Sequence, residues 1–188
     1  MQNHYFMIGI TLGLLLMGGL GRAEAKSRHF VSHQAGTGVN GVIDTNGDGM
    51  TAGTFTGIAN TTLGRFLFQG ESESLLDALA TNISCPVGTA EFPLLQALDV
   101  FTLQATGEQL FLTHTSGAVC FDFTTLTFTY HTQGTFSGGT GRFVHAAGTF
   151  DNNGTGSVLV FDLPAFHTLL NTTGTVTGTL TGVKDIWD

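Results

Sequence analysis

The sequence predicts an all-β fold, a closed antiparallel β-barrel in a single domain. Apolar and polar residues alternate with a period of two in several stretches, among them residues 101–105, 110–113 and 175–181. Turn-forming residues separate such stretches, as at Thr106-Gly107-Glu108 and in the stretch Asn152-Asn153-Gly154. Short strands joined by hairpins are typical of antiparallel barrels and sandwiches. A chain of 188 residues is long enough to bury one such core.

A change of phase favours the barrel over the flat sandwich. Bulky residues fall at Phe121 and Phe123 and then at Leu126, Phe128 and Tyr130, so the inward face changes parity between the two sets. A β-bulge or a corner at this point explains the change. Strongly bent strands of this kind are expected in a closed barrel.

The N-terminal segment predicts export. An apolar run at residues 6–20 is followed by Ala-Glu-Ala at 23–25, a small-x-small motif typical of signal peptidase sites. The run is shorter than the roughly 20 residues that a membrane span needs, although a membrane anchor is the alternative interpretation. We therefore expect residues 1–25 to be a signal peptide cleaved near Ala25. Residues 26–188 would then form the mature domain, secreted, periplasmic or at the cell surface.

The charge balance excludes two classes of partner. The chain has 14 acidic and 6 basic residues and a net charge of −8 with neutral histidines. Nucleic acids and anionic membrane surfaces are bound through basic patches, so neither is an expected partner, and the mature domain is not expected to insert into a membrane. Charged residues make up 11% of the chain, which is too few for a disordered protein.

The two cysteines, Cys85 and Cys120, predict a disulfide bond. In an oxidising compartment an isolated pair is typical of a bridge and not of a metal site. A catalytic thiol would need a paired base, which the sequence does not display. Cys85 lies in a region, residues 71–99, that interrupts the strand pattern. There Ser74 is predicted to cap a short helix with Leu75, Leu76 and Leu79 on one face, so the barrel is expected to carry one short helix or irregular insertion.

A glycine-rich segment is expected to close one end of the barrel. Glycines permit positive φ angles and close backbone approach, so a strand can stop, turn over the barrel end and resume. Arg142, inside this segment, is interpreted as a solvated charge and not as a substrate-binding group. The residues assigned to the closure are Gly138, Gly139, Thr140, Gly141 and Phe143, with Phe143 as the plug.

The same segment carries a family resemblance. With Ala147-Gly148 following, it resembles the GGTG-x-F-x-x-A-x-G signature of the dirigent and allene oxide cyclase barrels, with one extra residue before Ala147-Gly148. The chain is also similar to uncharacterised exported bacterial proteins that combine two cysteines with Asp-x-Asn-Gly-Asp-Gly and Leu-Gly-Arg-Phe stretches, here residues 44–49 and 63–66. The resemblance implies a calycin-like barrel and, as one alternative, a cyclase or isomerase. No catalytic residue of those families maps onto a matching position, and fold alone does not transmit activity.

Residues 44–49 also begin like a calcium-binding loop. Oxygen ligands at alternate positions, with glycine at the sixth, are typical of such loops. The ninth and twelfth positions are Ala52 and Phe55, so a ligand from elsewhere, such as Glu71 or Glu73, would be needed. The alternative is a polar hairpin turn built on the Asn-Gly pair at 46–47. The candidate calcium ligands are Asp44, Asn46 and Asp48, and calcium is the one cofactor considered.

The histidines give weaker indications. His29 and His33 lie in a strand-like stretch, where their rings are about 13 Å apart and cannot share a metal ion. His114, His131 and His145 could meet only in the tertiary fold, and we expect them to be exposed or to have satisfied hydrogen bonds.

Several functional classes follow from these observations. A binding module would use an interior lined by the abundant phenylalanines to hold an apolar small molecule. A structural or surface protein, including a calcium-stabilised one, would fill the interior with the same side chains. An enzyme of the cyclase or isomerase kind would need polar groups that converge inside the barrel. The sequence favours a non-enzymatic role, and an open cavity with inward carboxylates or histidines would favour the enzyme.

Overall fold

The protein is a closed antiparallel β-barrel, as predicted. A computed structural model describes residues 26–41, 49–75, 85–162 and 167–184, and these form eight strands. Each strand pairs with the next along the chain, and the last pairs with the first. The predicted signal peptide and the candidate calcium ligands Asp44, Asn46 and Asp48 lie outside the described residues. The strands are β1 (Arg28–Gly41), β2 (Met50–Thr61), β3 (Gly64–Leu75), β4 (Ala90–Leu103), β5 (Gln109–Asp122), β6 (Thr127–Gly139), β7 (Ala147–Asp162) and β8 (His167–Thr181).

The period-two pattern sorts side chains between the interior and the exterior of the barrel. Phe101 and Leu103 of β4 point inward and are buried, as are Val176 and Leu180 of β8. The threonines that alternate with the β8 pair are exposed or half-exposed. This separation follows from strand geometry, in which successive side chains point to opposite faces.

One end of the barrel is filled by a packed apolar core, which we call the closed half. Aromatic rings contact one another across it, with centroids 5.1 Å apart for Phe30 and Phe136 and 6.0 Å apart for Phe66 and Phe143. These separations are typical of favourable aromatic pairs. The core consists of Phe30, Ala59, Phe66, Phe68, Phe101, Leu103, Leu110, Leu112, Phe136, Phe143, Ala146, Phe150, Val176 and Leu180.

The glycine-rich segment covers this end. Strand β6 ends at Gly139, a 3₁₀ turn spans Gly141–Phe143, and β7 begins at Ala147. Gly138 and Gly141 have φ angles of +102° and +56°, a region that glycine adopts without strain. The turn directs the Phe143 ring into the core, where it is fully buried.

Arg142 is a structural residue, and its interpretation as a solvated charge was wrong. Its backbone N–H donates to Glu108 Oε1 at 2.7 Å, and its Nη2 donates to the carbonyl oxygen of Leu63 at 3.4 Å. The guanidinium carbon lies 4.9 Å from the centroid of the Phe143 ring. Through its backbone N–H and its side chain, which is 14% exposed, Arg142 therefore contacts Leu63, Glu108 and Phe143.

One predicted helix cap and one predicted turn lie within strands. Strand β3 continues through Ser74 and Leu75, so Ser74 does not cap a helix there; its side chain continues the inward set of β3 and is buried. The remainder of that predicted helix lies outside the described residues. Asn152, Asn153 and Gly154 lie within β7 and not in a turn, because ladders on both sides, with β6 and β8, hold their backbone.

The phase change after Phe123 lies in a hairpin turn between two strands, and not in a bulge or a corner within one strand. Strand β5 ends at Asp122 and β6 begins at Thr127. Asp122 Oδ1 accepts hydrogen bonds from the N–H groups of Thr124 and Thr125 at 2.7 and 3.2 Å, a side-chain-to-backbone turn. The irregularities of β5 against β6 lie earlier, between Leu110 and Leu112 and between His114 and Ser116.

The predicted disulfide is confirmed. Cys85 and Cys120 are bonded, with Cα atoms 5.4 Å apart, and the bond joins the segment before β4 to strand β5. None of the helices within the described ranges is long and apolar enough to span a membrane.

Candidate functional site

The half of the barrel opposite the packed core contains two adjacent chambers, and we call it the open half. The outer chamber has a volume of about 240 Å³ and the inner chamber about 110 Å³. Phe55, Ser72, Ser74, Val119 and Phe128 line both. The outer chamber is further lined by Asn40, Gly41, Thr51, Phe92, Phe121, Phe123, Phe161, Thr168 and Leu170. The inner chamber is further lined by Gln34, Phe68, Glu71, Leu94, Ala97, Asp99, His114, Tyr130, Thr132, Asn152 and Thr172.

The polar groups of the inner chamber reach the interior through the same alternation that builds the core. Asp99 precedes Phe101 by two residues on β4, and His114 follows Leu112 by two on β5. Each therefore occupies the next inward position after the apolar layer. We call the resulting band of Gln34, Asp99, His114, Thr132 and Asn152 the polar layer.

A hydrogen-bonded chain links three residues of the polar layer. His114 Nε2 lies 3.0 Å from Asp99 Oδ2, and His114 Nδ1 lies 2.8 Å from Thr132 Oγ1. With the ring proton on Nε2, His114 donates to Asp99 and accepts from the Thr132 hydroxyl. The His114 side chain is 5% exposed and that of Asp99 16% exposed, so both groups are largely shielded from solvent. The prediction that His114 has satisfied hydrogen bonds is thereby confirmed.

The Asp99 carboxylate occupies space that a glycine leaves open. Gly70 of β3 lies opposite Asp99, and a Cβ atom at position 70 would collide with Asp99 Oδ1. Among the described residues, the hydrogen bond from His114 engages Oδ2 and not Oδ1. Oδ1 packs over Gly70, and the Asp99 side chain borders the inner chamber.

Tyr130 lies over two further glycines. A Cβ atom at Gly154 of β7 or at Gly174 of β8 would collide with the Tyr130 hydroxyl, so both glycines are required by the position of the ring. Burial raises the pKa of Tyr130, a hydrogen bond with Thr172 lowers it in part, and the negative charge of Asp99 raises it further. The phenol therefore stays protonated at neutral pH and keeps a proton to donate.

Three buried polar atoms of the interior have no hydrogen-bond partner among the described residues. They are Ser32 Oγ, Gln34 Nε2 and Asn152 Oδ1. The Gln34 and Asn152 residues are 9% and 6% exposed and line the inner chamber. An unsatisfied buried polar atom costs about 1–3 kcal/mol, so a ligand group or ordered water that paired with the Gln34 and Asn152 atoms would stabilise the protein.

Among the histidines whose side chains the structure describes, none joins His114. His131 faces outward beside Asp151, with 3.5 Å between Nε2 and Oδ1, and both side chains are more than half exposed. His145 and His33 are exposed, on the β6–β7 connection and on β1 respectively. A groove of about 630 Å³ passes His131 on the outer wall of β5, β6 and β7.

The calcium hypothesis gains no support from the described residues. Among them, no group of three or more His, Cys, Asp or Glu side chains could hold a metal ion. Glu73, suggested as a completing ligand, instead accepts a hydrogen bond from Gln96 Nε2 at 2.5 Å. Glu71 is exposed on the same strand.

Sequence reasoning did not identify Asp99, Gln34 or Asn152 as site residues. The signal was present for Asp99, because extending the Phe101–Leu103 alternation by one step places it inward. Gln34 lies in a glycine- and threonine-rich strand with little hydrophobic contrast. Asn152 was assigned to a turn because Asn-Gly follows it.

Comparisons with protein-family models, curated proteins and solved structures found no match for this chain.

Proposed function

We propose that the protein binds a small organic molecule with an apolar body and a polar head inside the open half of the barrel. The head reaches the polar layer in the inner chamber, and the body lies among the phenylalanines of the outer chamber. The observation that carries the proposal is the pair of unpartnered, buried polar atoms on Gln34 and Asn152.

The volumes support a division of the ligand between the chambers. Ligand pockets commonly measure about 300–1,000 Å³, and the inner chamber at about 110 Å³ is well below that range. The outer chamber, at about 240 Å³, provides the remaining space and an aromatic wall. A compact bicyclic or short-chain molecule with one polar end suits this shape.

The unpartnered atoms define the chemistry of the head. Gln34 Nε2 is a donor and Asn152 Oδ1 is an acceptor, so an acceptor on the head can pair with Gln34 and a donor on it can pair with Asn152. A hydroxyl group can form both pairs. No lysine or arginine lines either chamber in the described part of the chain, so a charged acid is a poor fit.

The proposal is tested with 1-naphthol and naphthalene, which share one skeleton and differ by a hydroxyl group. Calorimetric or fluorescence titration of residues 26–188 should show 1-naphthol binding about tenfold more tightly, because its hydroxyl pairs with the buried amides. Replacement of Gln34 by the similarly shaped methionine should remove most of that preference. The control is Gln133→Met, since Gln133 lies outside on β6 and bonds to Asp151.

Two outcomes would contradict the proposal. Absence of binding by either probe, with the protein folded, would leave ordered water as the partner of the amides and favour a structural role. Equal affinity for the two probes in wild type would show an apolar pocket in which the polar layer plays no part.

We also propose that the chain is exported, with cleavage near Ala25. The disulfide between Cys85 and Cys120 supports this, because such bonds persist in oxidising compartments. Expression of the full chain and mass measurement of the mature protein test it: a mature N-terminus near Lys26 is expected, and an uncleaved chain would contradict it.

A further inference from the structure

We infer that Asp99 acts as a general base on a small apolar ketone bound in the inner chamber, transferring a proton at the carbon next to the carbonyl. This inference rests on the proposed binding function and adds a reaction to it. The chemical class of substrate is a carbonyl compound with an α-hydrogen.

Hydrogen bonds fix the position of the Asp99 carboxylate, as a general base requires. His114 anchors Oδ2, and Thr132 anchors His114 through its other ring nitrogen. Oδ1 packs over Gly70, and Asp99 is one of the residues that line the inner chamber. His114 has both ring nitrogens engaged, so we assign it the role of a positioning residue and not of the base.

The chamber also contains hydrogen-bond donors for the negative charge that develops on the carbonyl oxygen. Tyr130 and Gln34 line it with Asp99, and both carry N–H or O–H donors. Tyr130 keeps its proton, since burial and the charge of Asp99 both raise its pKa. Donors directed at an enolate oxygen in a site of low polarity are an established means of stabilising such a transition state.

The proposed step balances without any further reactant. Asp99 Oδ1 takes the α-proton, and the electron pair of the broken C–H bond becomes the C=C bond of an enolate. The carbonyl π electrons move to the oxygen, which accepts hydrogen bonds from Tyr130 and Gln34. Return of a proton to the same carbon gives exchange, and return to the far carbon of a conjugated enolate gives an isomer.

The test is hydrogen–deuterium exchange at C2 of 1-tetralone in D₂O, followed by NMR. The enol of 1-tetralone resembles 1-naphthol, so the binding probe and the reaction probe share a shape. The wild-type protein should accelerate exchange above the buffer rate, and 1-naphthol should inhibit it. Asp99→Asn should lower the protein-dependent rate at least about 100-fold, the usual contribution of a general base.

Three further variants separate catalysis from folding. Gly70→Ala retains the carboxylate but displaces Oδ1, and should reduce exchange while 1-naphthol binding persists. Tyr130→Phe should reduce the rate about tenfold or more. Asp151→Asn, at an exposed carboxylate on β7, is the matched control and should leave the rate unchanged.

The outcomes distinguish the two proposals. If 1-naphthol binds and wild-type exchange equals the buffer rate, the inference is overturned and the binding function stands. Exchange that persists in folded Asp99→Asn would overturn the assignment of the base. If 1-naphthol does not bind, the proposed function itself fails.

Discussion

The closed and open halves of the barrel are built from the same strands and the same alternation, yet one is solid and the other hollow. In the closed half, inward positions on neighbouring strands carry large side chains, such as Phe66, Phe101 and Phe143, which contact one another. In the open half, inward rings such as Phe55, Phe128 and Tyr130 border the two chambers and do not fill the interior. The residues of the packed core and the residues of the candidate site therefore lie in opposite halves of the barrel.

The polar layer marks the boundary between the halves. The His114 ring packs edge-on against Phe150 of the closed core, with centroids 5.0 Å apart. One face of the layer thus rests on rigid packing, and its other face borders the chambers. A site positioned by a packed core loses little orientation entropy when it binds a ligand.

The largest expected effect contrasts one phenylalanine from each half. Phe143→Ala should lower the free energy of unfolding by about 3–5 kcal/mol, because it leaves a cavity in a fully buried site. Phe123→Ala, at a ring that is 60% exposed, should cost less than about 1 kcal/mol. Urea unfolding of both variants measures the difference, and similar costs would refute the division into two halves.

Removal of the disulfide should destabilise the protein nearly as much. Cys85 and Cys120 are 35 residues apart, and closing such a loop stabilises by about 3–4 kcal/mol in the chain-entropy model. Thermal unfolding of the double Cys→Ser variant should show this loss. An unchanged midpoint would mean that the segment before β4 is held to β5 by packing alone.

The removal of one buried hydroxyl on β1 should have the opposite sign. Ser32→Ala removes a fully buried hydroxyl that has no partner, so the free energy of unfolding should rise by about 1 kcal/mol or stay constant. Thr132→Val, which removes the hydroxyl bonded to His114, is the control and should be destabilising. A destabilised Ser32→Ala protein would indicate an ordered partner for that hydroxyl.

The smallest effect concerns Glu108 and depends on pH. The hydrogen bonds from the Arg142 backbone and the Thr106 hydroxyl lower the pKa of Glu108, so its contribution to stability is present at neutral pH. That contribution is lost as the pH falls through the lowered folded-state pKa. Glu108→Gln should cost about 0.5–1 kcal/mol at pH 7 and progressively less on acidification. A cost that stays constant with pH would contradict a charge-assisted contact.

Much of the fold could be predicted because a period of two is visible wherever large and polar residues alternate. The barrel, the inward faces of β4 and β8 and the disulfide all follow from such local signals. The candidate site was hidden because its members come from separate strands, and because Asp99 and His114 interrupt the apolar side of the alternation. The Asn-Gly pair that follows Asn152 also led to the prediction of a turn, which does not form because ladders on both sides override this preference.

An NMR titration of the aromatic rings with 1-naphthol tests most directly whether the open half is a ligand site. We expect chemical-shift changes for Phe55, Phe128 and Tyr130, which line the chambers, and none for Phe66 and Phe143 in the closed core. Shifts confined to exterior residues such as His131, or no shifts at saturating probe, would contradict the claim that the open half is a built ligand site.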